Sequence, residues 1–414
     1  MKVGFCRSAI SPPIGIQLAG YASRTEPSKC IYDDLYVRCV TLQYGKRAFA
    51  IVVIDSIGIP YDLYQDVLNR CRSIEETYGI ELGVVVGATH SHATPYLSMD
   101  TDEIYREYVV RSIIGCIQAA LRSSRQIEKV VVGEGYLRQL VYNRRNPARG
   151  AVDPQLIVLD LGMVALINFT CHPVVLGPDN LCISSDYPGT VIRVFEKFTN
   201  KNAIYLNGCC GDVNPFTPTT RMDRPYDRRG ATYEEVLWFG EVVALEAIKA
   251  LRLGEALHLH NDMIDYRVRN IELKVRDLPR PEDIDKLIAE AEKRGDRYEV
   301  WRLKRLIRLS RELGPRRSIV VPIAALKIGK AIAMVFLPAE VFVEHQLYIK
   351  SKSPFKYTIV SCYFNCYWGY IPTREAFDEG GYEVELPVSI VKPGEGEKLR
   401  DEVLTLLQEL YTYT

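Results

Sequence analysis

Two kinds of segment alternate along this chain. The stretches RAFAIVVIDSIGI (47–59), LGVVVGATH (82–90), MVALINFTCH (163–172) and AIAMVFLPAE (331–340) each carry a continuous apolar run. Runs of that kind predict strands buried on both faces, because a half-exposed strand would alternate apolar and polar positions. Between them, YDLYQDVLNRCRSIEETYG (61–79), DEIYREYVVRSIIGCIQAALRSS (102–124), DYPGTVIRVFEKFTN (186–200) and YEEVLWFGEVVALEAIKALRL (233–253) repeat their apolar residues at helical spacing. The alternation predicts an α/β protein with a mixed β-sheet core flanked by helices.

Residues 278–313 break the rhythm. Ile284, Leu287, Ile288 and Ala291, then Val300, Leu303 and Ile307, mark two charged helices with Gly295 between them. They predict a helical hairpin, a solvated excursion packed on the sheet; a lid over a site is the alternative. No internal repeat or linker divides the chain, so one domain over residues 1–414 is expected.

Composition narrows the functional classes. Lys plus Arg is 52 and Asp plus Glu is 52. This balance gives no electrostatic footprint for nucleic acid or an anionic membrane. No apolar stretch reaches the length of a membrane span, and no signal peptide is seen at the start, so a cytoplasmic protein is expected. The 11 cysteines are scattered in apolar runs and lack paired metal-ribbon spacing. Most are expected as buried thiols, without a disulfide framework. No pattern speaks to oligomeric state.

The chain has only 6 histidines, and two of them, His90 and His92, sit one residue apart where an apolar run stops. If the strand continued through them, both imidazoles would point the same way. The C-terminal ends of strands are where α/β proteins bind ligands. His-x-His alone is a weak signal, and His258 and His260 share its spacing in a more polar stretch that reads as strand surface. His345 has a helical context and reads as structural or exposed. His172 and Glu340, however, also end apolar runs. Individually these are ordinary strand-end or cap residues. Sharing one placement, they predict a His/His/Glu set of the catalytic zinc type.

Three loops add candidate chemistry. YLNGCCGDVNPF (205–216) is a Gly-rich turn after a strand, readable as ligand-binding or as a tight turn closed by Asp212. NCYWGYIPTREAFDEGGYE (365–383) carries Tyr370 and Tyr382 on either side of a short helical segment. YNRRNPARG (142–150) offers Arg144, Arg145 and Arg149 to an oxyanion, or simply to solvent.

Taken in order, AISPPIG…LAGYASR, DDLYVRCVTL, ATHSHATP, NFTCHPVVLG…ISSDYPG, LNGCCGDVNP, FLPAEVF and GYIPTREAFDEGGYE resemble the catalytic domain of the neutral/alkaline ceramidase family nearly end to end. The resemblance implies a zinc-dependent amidase that cleaves the N-acyl bond of a sphingolipid, with one Zn2+ per chain and a metal-bound hydroxide as nucleophile. It implies His90, His172, Glu340 and Tyr370 as metal ligands. It implies His92 as the proton carrier, with Arg144, Tyr382 and Tyr370 at the scissile carbonyl, and Gly20, Asp212 and Asn214 beside the substrate.

The family's members are longer, with a C-terminal β-sandwich that is not found here, and they usually carry Ser at the position of Asn214. The expected partner is therefore a small-molecule or lipid N-acyl compound, with no nucleic acid and no transmembrane segment. An esterase, lactonase or deacetylase using the same chemistry is the alternative, and a non-catalytic binding protein on the same fold is a further one.

Overall fold

The computed structural model describes residues 1–98, 101–259 and 264–412. Three larger sheets carry the fold. The first orders its strands 81–88, 47–54, 36–44, 2–9 and 125–126. The second orders them 202–207, 164–169, 155–160, 129–136 and 255–258, and the third 264–274, 318–328, 332–336 and 357–361. The mixed sheets with helices on their outer faces are the expected α/β architecture.

The unbroken apolar runs have the predicted cause. Along 47–54, Ile51 and Val53 face an inner core shared by all three sheets, with Leu159, Leu166, Met334 and Phe336. The alternate residues Ala50, Val52 and Ile54 face an outer layer with Leu63, Val67 and Val109 of the helices Tyr61–Tyr78 and Glu103–Arg122. Phe336 is fully buried at the inner meeting point, against Phe49 and Phe364. Truncating a phenylalanine so placed costs about 3–5 kcal/mol.

Most pairings within these sheets are antiparallel, but each sheet contains one parallel pair: 47–54 with 81–88, 164–169 with 202–207, and 332–336 with 357–361. A parallel pair needs a crossover. The helices Tyr61–Tyr78, Asp186–Thr199 and Val343–Lys352 lie on those crossovers. The same βαβ plan thus occurs once per sheet without a repeat visible in the sequence.

The C-terminal ends of the three pairs are tied together by backbone bonds. Cys362 N–H donates to Asn207 O at 2.9 Å, Asn365 N–H to Val86 O at 2.7 Å, and Ala88 N–H to Tyr363 O at 3.1 Å. Gly87 permits this approach, since a Cβ there would lie 2.5 Å from the Phe364 ring.

The charged hairpin forms over Pro281–Arg294 and Arg297–Leu313, with Asp296 capping the second helix through Glu299 N–H. Ile284, Ala291, Leu303, Leu306 and Ile307 make its small core. Trp301 packs on a further cluster that includes Phe342, Tyr370 and Val388, with Tyr382 alongside. The hairpin therefore lies against the segment that carries both candidate tyrosines.

One pair of cysteines departs from the buried thiols expected of most of them. Cys30 and Cys182 form a disulfide between two short paired strands 152 residues apart in sequence. Only the fold brings them together, so no local spacing signals the bond. No helix among the described residues is long and apolar enough to cross a membrane.

Candidate metal centre

Each of the three parallel pairs sends one metal-ligating residue type into the same place. His90 follows 81–88, His172 follows 164–169, and Glu340 follows 332–336. His90 and His172 are fully buried and Glu340 nearly so. The His90 and His172 Nε2 atoms are 3.0 Å apart. Glu340 Oε2 lies 3.3 Å from the first and 3.2 Å from the second. His92 Nε2 is 3.2 Å from His90 Nε2, and His90, His92 and His172 together form a buried group able to hold a metal ion.

The two imidazoles reach each other by a route the sequence did not specify. The strand ends at Ala88, and His90 adopts φ 68°, the left-handed region that is costly for a non-glycine residue. His90 and His92 therefore converge through a turn, and the period-two alternation of a strand does not apply. Ala339, beside Glu340, is also left-handed at φ 63°. So is Tyr363 at φ 67°, whose ring stacks on His90 at 4.0 Å. Backbone strain at three positions around one cluster is typical of a site the fold over-determines.

The hydrogen bonds orient the two rings. His90 Nδ1 meets Ile57 O at 2.5 Å and His172 Nδ1 meets Cys210 O at 2.6 Å. These carbonyls place the ring protons on Nδ1 and leave both Nε2 lone pairs facing inward. Burial, with Arg144 nearby, lowers His172 to about 4, so its ring is neutral at pH 7.

Tyr367 donates to Glu340 Oε1, while Glu340 Oε2 has no hydrogen-bond partner. Two lone pairs and a carboxylate oxygen thus converge within 3.3 Å with no proton between them that the geometry supplies. A cation among them resolves that arrangement, and the mixed imidazole and carboxylate donors fit a divalent ion of the zinc class.

His92 differs from the other two histidines. Its Nδ1 has no partner. Burial, then His90 and His172, hold its pKa well below the ordinary histidine range. Its ring packs against the backbone of Gly20, where φ is 100° and a Cβ would lie 2.4 Å from Nδ1. The Tyr21 ring meets it edge-on at 5.0 Å. Gly20 therefore contributes by being small.

The short strand Glu340–Val341 pairs in parallel with Tyr370–Ile371, which sets Glu340 and Tyr370 side by side. The Tyr370 hydroxyl accepts from Arg144 Nη2 at 2.8 Å. Burial raises the pKa of that hydroxyl, and the guanidinium opposes the rise. Arg144 Nε donates to Glu383 at 2.7 Å and its Nη1 to Asn214 Oδ1 at 3.2 Å.

Asn214 also donates to Pro225 O, so both ends of its amide are engaged within the protein. Asp212 accepts from Asn143 at 2.5 Å and from Val343 N–H at 3.0 Å, and burial raises it to about 8. It fastens its own loop to Asn143 and to the first residue of the helix Val343–Lys352. The Tyr382 ring meets Tyr370 edge-on at 5.8 Å, and its hydroxyl makes no hydrogen bond among the described residues.

Arg145 bonds to Glu383 and to the Gly380 carbonyl, whereas Arg149 stays at the surface. His258 is exposed on an edge strand, and His345 is buried with Nε2 at 3.3 Å from Pro372 O. His260 lies outside the described residues.

Two site residues carry roles that the sequence pattern does not announce. Glu383 follows Tyr382 directly and is fully buried between Arg144 and Arg145. The pair of adjacent arginines is a signal that a buried acid has to face them. Tyr367 orients Glu340 and carries no signal among 26 tyrosines.

Two solved structures share this fold. Neutral ceramidase from Pseudomonas aeruginosa matches with a TM-score of 0.78 at 18% sequence identity, covering 100% of this chain and 74% of that one. A ceramidase complexed with C2 matches at 0.77 and 16%, covering 100% and 75%. The chain therefore has the ceramidase fold over its whole length. No protein-family model matches the sequence, and no curated protein matches it.

Proposed function

We propose that this protein is a metal-dependent hydrolase that cleaves an N-acyl amide bond, with His90, His172, Glu340 and Tyr370 holding one zinc ion. The observation that carries the reading is the convergence of two Nε2 lone pairs and the unpartnered Glu340 oxygen, at the strand ends of a ceramidase fold. When bound, such an ion polarises a carbonyl and makes water acidic enough to attack near neutral pH.

The protein's own groups do the rest. His92 is neutral, without a partner at Nδ1, and adjacent to the ligand cluster. It accepts the proton of the attacking water and delivers it to the departing amine. The free hydroxyl of Tyr382 donates to the carbonyl oxygen as negative charge develops there. Arg144 acts as a positioning residue, holding the Tyr370 oxygen while Glu383 and Asn214 fix the guanidinium.

The test compares zinc content and hydrolysis of a matched N-acyl amide and ester in the wild type and His92→Ala. The wild type binds about one zinc and cleaves the amide. His92→Ala keeps its zinc and loses roughly a hundredfold to ten-thousandfold in turnover, the range for a general base. Equal loss of zinc and turnover would make His92 a ligand. Cleavage of the ester alone by zinc-loaded wild type would replace the amidase reading with an esterase one.

A further inference from the structure

The second hairpin helix carries a cation with no counterion among the described residues. Arg302 is held by Glu299 at 2.6 Å and donates to Leu386 O, and Lys304 pairs with Glu292 at 3.4 Å. Arg305 is half-buried, and among the described residues its guanidinium makes no hydrogen bond and no ion pair. It lies over the Trp301 ring at 5.6 Å. Trp301 in turn packs on the cluster that contains Tyr370, beside Tyr382.

Tyrosines at position 96 and in the segment 365–383 feel its charge. Burial raises the hydroxyl pKa of Tyr96, Tyr367 and Tyr382, and Arg305 opposes the rise in each. Tyr367 is the donor to Glu340, and its ring is 6.0 Å from His90. The Tyr96 ring is 5.9 Å from that of Tyr367. Through Trp301, Arg305 lies beside the cluster that holds Tyr370, with Tyr382 alongside. Tyr96 also lines a groove of about 870 Å³ whose walls include Ile16 and Leu18.

A guanidinium that has lost part of its hydration without gaining an acceptor is poised for an oxyanion, and its planar fork matches a carboxylate. We propose that Arg305 of the hairpin receives a carboxylate on the amine portion of the substrate, so that the protein acts on N-acyl amino acids in preference to uncharged N-acyl compounds. The inference rests on the amidase reading for the position of the scissile bond. It makes the hairpin a specificity wall of the site, with Arg305 as its specificity-determining residue.

Two measurements on the full-length, zinc-loaded chain test it. The first is kcat/KM for N-lauroylglycine against its uncharged carboxamide, in wild type, Arg305→Gln and Arg305→Lys. Wild type prefers the carboxylate by roughly tenfold to a hundredfold, as one charge-assisted pair provides. Arg305→Gln abolishes the preference and Arg305→Lys restores part of it.

The second is calorimetric binding of the uncleavable ketones in which a methylene replaces the amide nitrogen of each compound. The same preference and the same loss are expected there, whether or not the amides are cleaved. Absence of cleavage with carboxylate-selective binding would defeat the amidase reading and leave the anion site standing. Equal binding of both ketones by wild type, or an unchanged preference in Arg305→Gln, would overturn the proposal.

Discussion

Two buried polar clusters of this protein sit next to each other and are built on opposite principles. Around Arg144, every group has a partner. Glu383 faces two guanidiniums, Asn214 is engaged at both ends of its amide, and the Tyr370 oxygen accepts from Arg144. Around His90 and His172, acceptors face acceptors and Glu340 Oε2 has no donor. A buried cluster that satisfies itself is architecture. A buried cluster that cannot is a candidate binding site, because an unmet desolvation cost is relieved when something else completes it.

Four substitutions set these clusters against each other. The largest effect is expected at His172→Ala, which removes a donor from the incomplete cluster. Zinc falls from about one per chain to none, and amide hydrolysis drops more than roughly a thousandfold as the ion's charge stabilisation is lost. Metal analysis and steady-state kinetics measure both, and retention of zinc would undo the ligand assignment.

Glu383→Gln breaks the complete cluster and strands two arginines. Urea unfolding of the chelated protein should show a loss of about 3–5 kcal/mol, the cost of leaving a buried charge without its partner. An unchanged midpoint would show that solvent reaches those arginines.

Glu340→Gln should have the opposite sign in the same chelated protein. An amide N–H₂ facing the Nε2 lone pairs replaces a repulsive acceptor with a donor, so stability rises by about 1–3 kcal/mol. Zinc binding weakens at the same time. Destabilisation of the chelated protein by this variant would mean that a proton already bridges Glu340 and the histidines.

The smallest effect is expected at Gly20→Ala, which pushes on His92 without touching a ligand. Turnover should fall about tenfold through displacement of the ring, with zinc content unchanged. Loss of zinc in this variant would place His92 inside the coordination set.

Much of the site is legible in the chain itself. His90, His172 and Glu340 each stand just past a continuous apolar run, because strands buried on both faces must end where polar ligands gather. Other parts have no local signature. A left-handed turn at His90 stands where period-two alternation would extend the strand. Tyr367 owes its role to contact with Glu340, 27 residues away, and Arg305 owes its place to the packing of Trp301. The Cys30–Cys182 bond joins two segments that nothing in their spacing relates.

By itself, then, the sequence determined the class of fold, the ends of the buried strands and the residue types waiting there. Those follow from periodicity and burial, which are properties of short stretches. The tertiary structure decided which strand ends meet, which oxygen of Glu340 is left without a donor and where the hairpin's Arg305 comes to lie. Those are outcomes of contacts between residues far apart in the chain, and no local pattern encodes them.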